Sequence, residues 1–256
     1  MTRPKVITKR TLTCFSVLLF FQHAFAQNAP SINLHSFTLG ASSVSITDNY
    51  SDLVLKGIRS AELAYSYSSI SSYRKKSISL TWNSGQAGNA KLNDFRAAYA
   101  DAFSIIKSRN NGFNTYLGYA ISTNPVFITN GNEDKKYSWA TSTSLSAYSY
   151  SVYSWKSNSI SIDVSIPVAG FASRPENNKV YGGNVNRLLY ESYDNLFFTS
   201  LHNLTAVVIA VQYSRQVSKR ISLHAAYQYQ YKRLNDDNLF QQVSHGLRAG
   251  FSYQLK

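Results

Sequence analysis

Ile221-Ser222-Leu223-His224-Ala225-Ala226-Tyr227-Gln228-Tyr229-Gln230-Tyr231 changes character at nearly every residue. Ile221, Leu223, Ala225, Tyr227, Tyr229 and Tyr231 form one set, and Ser222, His224, Ala226, Gln228 and Gln230 the other. Successive side chains of a β-strand point to opposite faces, so this stretch reads as a strand with one apolar and one small polar face. Residues 159–168 repeat the pattern, with Ile160, Ile162, Val164, Ile166 and Val168 against Ser159, Ser161, Asp163 and Ser165. So do residues 243–255, where Val243, Leu247, Ala249, Phe251, Tyr253 and Leu255 oppose Ser244, Gly246, Arg248, Gly250, Ser252 and Gln254. In 61–68, Leu63, Tyr65 and Tyr67 oppose Glu62, Ala64, Ser66 and Ser68.

A soluble sandwich also alternates, and length separates the two cases. These runs match the ~9–11 residues that a tilted strand needs to cross lipid and exceed the ~5–6 of a typical strand. The apolar faces often end in tyrosine, which suits a membrane interface. The opposite faces are small and polar, which suits a narrow wet interior.

The pattern predicts ten strands, at about 32–46, 58–70, 75–84, 94–106, 112–123, 137–152, 157–168, 203–215, 219–231 and 243–255. Residues 92–106 also show helical spacing at Leu92, Phe95, Tyr99, Phe103 and Ile106. As a strand, they place Asp101 on the face of Tyr99 and Phe103, which calls for a bulge or a position near the interface. Residues 137–152 change phase near Ala147, which predicts a bulge or a further turn. Short links (71–74, 107–111, 153–156, 217–218) alternate with longer ones (47–57, 85–93, 124–136, 169–202, 232–242). Barrels place short turns in the periplasm and long loops outside, so both termini are expected on the periplasmic side. Segment 169–202 reads as a loop, a lid or an additional strand pair, the last giving twelve strands. An unpaired backbone amide or carbonyl in lipid costs several kcal/mol, so the sheet must close. The expected fold is all-β, a transmembrane antiparallel up-and-down barrel of about ten strands. A barrel of that size is too narrow for a broad pore, which takes ~16–18 strands.

Residues 1–26 read as a secretory signal peptide. Arg3, Lys5, Lys9 and Arg10 form a basic start, Leu12 to Phe21 is apolar, and Ala24-Phe25-Ala26 offers small residues to a peptidase cutting after Ala26. The barrel domain is then 27–256. The single cysteine, Cys14, lies in the leader, so the remainder is expected to carry no disulfide.

Four of the 26 Lys+Arg and none of the 13 acids lie in the leader, leaving a surplus of about nine positive charges. They scatter near strand ends, as in Arg74-Lys75-Lys76, Lys107 with Arg109, Lys135-Lys136, Lys219-Arg220 and Lys232-Arg233. That dispersion argues against a nucleic-acid groove and for anionic headgroups or an anionic solute. Nineteen Tyr and fourteen Phe beside one Met are unusual for a soluble enzyme.

The leader, the hairpin running from Val211–Arg215 to Ile221–Leu223, and the strand Gly250-Phe251-Ser252-Tyr253-Gln254-Leu255 together resemble small bacterial outer-membrane β-barrel proteins. The resemblance spans the chain after the leader and is architectural. It implies insertion among outer-membrane lipids and recognition of the last strand by the barrel-assembly machinery. Phe251, Tyr253 and Leu255 keep the alternation of such strands, and Lys256 stands where many members carry an aromatic.

Some outer-membrane barrels are enzymes. A barrel phospholipase carries His-x-Ser on one strand, the histidine acting as base for the serine nucleophile. Ser222-x-His224 has the reverse order on an inward face, and Asp163 could orient the histidine only from an adjacent strand. A lumen histidine bonded among Ser and Gln is the simpler account. A barrel protease needs paired acids at the outer rim, and Glu133-Asp134 and Asp236-Asp237 are the candidates; solvated loop tips explain them better. His35, His202, His224 and His245 show no metal spacing, and no metal or other cofactor is expected. Glu62, Asp163 and Arg248 face inward by parity, to brace the lumen by pairing or to form a selectivity filter. Three readings follow: a structural, surface or accessory subunit of a larger outer-membrane complex; a narrow anion-leaning channel; or a lipid-modifying enzyme using Ser222 and His224.

Overall fold

The structure is a computed structural model and describes residues 31–50, 52–107, 112–129, 137–175, 196–235 and 239–255. The predicted leader with its expected cleavage site at Ala26, both acidic pairs and most of the 169–202 link lie outside these residues.

Every regular element described is a strand. They are β1 (Ile32–Asp48), β2 (Leu53–Ile70), β3 (Arg74–Ala87), β4 (Ala90–Lys107), β5 (Phe113–Asn124), β6 (Val126–Thr129), β7 (Tyr137–Trp139), β8 (Thr141–Trp155), β9 (Asn158–Ser173), β10 (Leu196–Ser200), β11 (Leu204–Gln216), β12 (Ile221–Asn235) and β13 (Leu239–Leu255). Ten long strands pair in the order β1-β2-β3-β4-β5-β8-β9-β11-β12-β13, each antiparallel to the next. β13 returns to β1 in register from Asn33↔Leu255 to Asp48↔Phe240, and the sheet closes. β6 and β7 continue β5 and β8 beyond Pro125 and Ala140, and β10 pairs with the last residues of β9. The described parts of the 169–202 link therefore lengthen existing staves, and the described barrel has ten of them.

Residues 92–106 are strand rather than helix: β4 pairs with β3 from Ala90 to Phe103 and with β5 from Ala97 to Lys107. Asp101 points outward, as its parity requires, yet is fully buried. Arg74 pairs with it, and the Tyr99 hydroxyl donates to it at 3.3 Å. Its cross-strand partner Lys76 is only the third residue of β3, so the pair sits close to the end of the barrel. The predicted irregularity near Ala147 has a different origin. β8 keeps one phase throughout, and the bulge lies opposite it on β9, where Val168 is the extra residue between Leu145 and Ser146. The sequence changes phase because Tyr148 and Tyr150 turn into the lumen.

We call the end where β1 begins and β13 finishes the terminal end, and the other the distal end. Two-residue turns occur at both: Lys156-Ser157 at the first, Gly88-Asn89 at the second. Gly88 has φ 57°, which a tight hairpin demands of its first central residue. The expected long links 47–57, 85–93 and 232–242 are mostly strand: β2 starts at Leu53, β3 runs to Ala87, and β12 runs to Asn235.

The reason lies in the outward face. Between the terminal end and mid-strand it carries Phe37, Leu39, Leu63, Ile78, Leu80, Phe251 and Leu247, all well exposed. Nothing but lipid makes exposure of so continuous an apolar belt favourable. Toward the distal end the outward residues become Ser43, Ser45, Thr47, Lys56, Arg59, Lys91, Asn93 and Arg233. There the inward residues become apolar: Val44, Ile46, Ile58, Leu92, Val126, Ile128, Leu204, Leu234 and Phe240 form one buried cluster. The lower barrel is greasy outside and wet inside, while the distal part is built like a water-soluble protein. The strands therefore project beyond the membrane.

Candidate functional site

The lumen is layered. At the terminal half, aromatics from one wall fill part of it. Tyr116 and Tyr148 pack with Ala100, Ala102 and Ala120, and Tyr150 lies against them. Much of the remaining wall is small and polar, with Ser36, Ser66, Ser79, Ser161, Ser222 and Ser252 among its residues, and a cavity of about 340 Å³ remains beside the tyrosines. Its lining begins at Ile70, the last residue of β2, and at Lys75, the second of β3, so it reaches the terminal end.

Four cations and three acids face this half or border it. Glu62 pairs with Arg248. Asp163 receives a hydrogen bond from the Tyr148 hydroxyl at 2.6 Å, with Lys75 Nζ at 3.8 Å. Lys75 also donates to Tyr148 at 2.7 Å and lies 3.3 Å from the Tyr150 ring centroid, a close cation–π contact. Arg96 projects into the cavity from β4. Above it Asp94 accepts from Asn124 Nδ2 at 2.6 Å and from Gln242 Nε2 at 2.9 Å. Lys232 donates to the carbonyl oxygens of Ala140 and Asn124 at 2.9 and 3.2 Å.

The buried apolar cluster follows, capped by a second polar layer. There Arg174 pairs with Asp48 and donates to the Trp139 carbonyl, while Trp139 Nε1 donates to Ser173 Oγ at 3.1 Å. Arg174 also stacks over Phe240, 5.0 Å from the ring centroid. A fully buried hydrocarbon layer thus lies between two polar layers in the distal lumen.

The structure brings together two of the five lumen residues predicted from parity, Glu62 and Arg248. Asp163 stands apart with Lys75 and Tyr148. His224 Nδ1 is hydrogen-bonded to Ser252 Oγ at 3.3 Å, and Ser222 lies opposite Ser252 in the β12–β13 register. β9 is separated from β12 by β11, so Asp163 is not beside His224. Among the described residues no group of His, Cys, Asp or Glu could hold a metal ion.

Sequence reasoning missed Lys75, Arg96 and Lys232. Lys75 shares parity with Ser77, Ser79 and Thr81, and Lys232 with Gln228 and Gln230, so each was reachable by extending a polar face one step. Arg96 was hidden by the helical spacing around it.

No family model matches the chain, and no curated protein matches it. Solved structures do match. The outer membrane protease OmpT from Escherichia coli is 8% identical, with a TM-score of 0.45, covering 91% of this chain and 99% of that one. The translocator domain of autotransporter NalP from Neisseria meningitidis is 6% identical, with a TM-score of 0.40 and 95% of each chain covered. Neisserial surface protein A is 11% identical, with a TM-score of 0.35, covering 84% and 95%. Such distant likenesses carry no activity across, and the assignment rests on the closed sheet and its lipid-facing belt. On those grounds the chain folds as a small transmembrane β-barrel of the outer-membrane type.

Proposed function

We propose that this barrel is a closed, non-conducting surface or accessory element of the outer membrane, acting through its wall and its projecting distal rim, with both termini on the periplasmic side. One observation carries the reading: the apolar layer of Val44, Ile46, Ile58, Leu92, Ile128 and Phe240 across the distal lumen. An ion crossing it would have to shed its water among hydrocarbon side chains, at a cost far above thermal energy. The leader at 1–26 supports export, and the belt supports direct contact with lipid. The wall, continuous and rich in exposed Leu, Phe and Tyr, suits a subunit docked in a larger outer-membrane complex.

Purified barrel reconstituted in a planar bilayer is expected to be silent. Stable, saturable single-channel steps would overturn the reading in favour of an anion-leaning pore. Native mass analysis after mild detergent extraction then separates a solitary surface protein from an accessory subunit.

A further inference from the structure

The cavity in the terminal half holds a cation that the barrel itself does not neutralise. Lys75 and Arg248, which line the same cavity, each have an acid: Asp163 for the first, Glu62 for the second. Among the described residues Arg96 makes neither an ion pair nor a side-chain hydrogen bond. The carboxylates that act on it from a distance, Asp163 and Asp94, are engaged by Tyr148 and Lys75 and by Asn124 and Gln242. Arg96 stands at the distal limit of the cavity and also borders a small void of about 30 Å³ that Lys232 lines. Among the described residues Lys232 donates only to oxygens of Asn124 and Ala140, so its charge is likewise not cancelled there by contact with an acid. The inner end of the cavity is therefore positive.

We infer that this cavity binds a small free oxyanion solute, a phosphate or a carboxylate, with Arg96 as its anchor. A volume of about 340 Å³ lies at the lower end of the range of small-molecule sites, ~300–1,000 Å³. A guanidinium offers a planar fork that matches two oxyanion oxygens at once, and low-dielectric walls strengthen the attraction. The hydroxyls of Ser79, Thr81 and Ser161 supply neutral donors around it. The solute enters from the terminal end, because the apolar layer seals the other. It is not a lipid, since the unbroken sheet leaves no lateral gap through which acyl chains could trail. This goes beyond the proposed function: a silent barrel need hold no solute, and either claim can fail while the other stands.

The test is titration of the folded, detergent-solubilised barrel with inorganic phosphate, followed by calorimetry and by the 15N–1H resonances of the arginine side chains. Wild type is expected to bind saturably. Arg96→Gln is expected to bind about tenfold more weakly or worse, the loss of a charged hydrogen-bonded contact. Arg215→Gln, altering an exposed arginine on β11, is expected to leave affinity unchanged. Should Arg96→Gln fail to fold by heat-modifiable gel mobility, Thr81→Phe serves instead: it keeps the cation, fills the space beside it and is expected to abolish binding. No saturable binding by wild type, or wild-type affinity in the folded Arg96→Gln or Thr81→Phe protein, overturns the inference.

Discussion

Gly40 stands in register with Glu62 on one side and Arg248 on the other, and the ion pair between them closes over it. A Cβ at Gly40 would lie 3.0 Å from Arg248 Cγ and 2.5 Å from the Leu247 carbonyl oxygen. One at Gly246 would lie 3.3 Å from Glu62 Oε2. Two glycines thus clear the ground for one buried pair, with side-chain exposures of only 3% and 14% for Glu62 and Arg248.

Removing one partner strands a charge in the lumen. Glu62→Gln is expected to lower the unfolding free energy by about 3 kcal/mol, the low end of the range for a broken buried pair because Arg248 keeps some access to the cavity. The double variant Glu62→Gln/Arg248→Met is expected to recover most of that. Urea unfolding followed by tryptophan fluorescence measures both. A double variant as unstable as the sum of the singles would show that the two residues act separately.

The distal seal predicts a gain of function from damage. Phe240→Ala is expected to cost about 3–5 kcal/mol through lost burial and the cavity left behind. Combined with Ile46→Ala, it thins the hydrocarbon layer to the point where water can enter. Planar bilayer recordings of this double variant are expected to show ion flux absent from wild type. A silent bilayer from the folded variant would place the barrier elsewhere.

On the lipid face, Arg74 and Asp101 are unequal partners. Asp101 is short and fully buried, whereas the Arg74 side chain is 21% exposed and has a stem long enough to reach the interface. Arg74→Ala is therefore expected to destabilise insertion more than Asp101→Ala, because the carboxylate cannot retreat to water. Equilibrium folding into lipid vesicles orders the two variants. The reverse order would contradict the position of the pair near the terminal end.

The boundary of the membrane is also testable. Leu247→Arg, in the belt, is expected to cost about 2–4 kcal/mol in lipid. Thr47→Lys, on the outward face of the projecting strand, is expected to cost almost nothing. Equal costs at the two sites would mean that lipid covers the whole height of the barrel.

The ten staves were legible because lipid imposes contrast. Wherever Leu63, Tyr65, Ile162, Leu223 or Phe251 faces hydrocarbon and its neighbour faces a wet lumen, period two appears in the sequence. Strand ends were not legible at the distal side. There Ser43 and Thr47 face water while Val44 and Ile46 face a core, so the apolar parity inverts and the pattern breaks off. β8 was misread for a related reason: Tyr148 and Tyr150 are large and apolar, but they fill the lumen.

The sequence by itself determined that strands alternate, that they number about ten or twelve, and which face Glu62, Asp163, Ser222, His224 and Arg248 share with their polar neighbours, because parity is a local property of an extended backbone. Only the tertiary structure decided that Glu62 meets Arg248 while Asp163 meets Lys75, that Asp48 and Arg174, 126 positions apart, pair above the apolar layer, and that Arg96 has no counter-ion among the described residues. Those outcomes depend on closure and register, which bring distant residues onto one ring of the barrel. No local pattern encodes which strand will stand opposite which across a lumen.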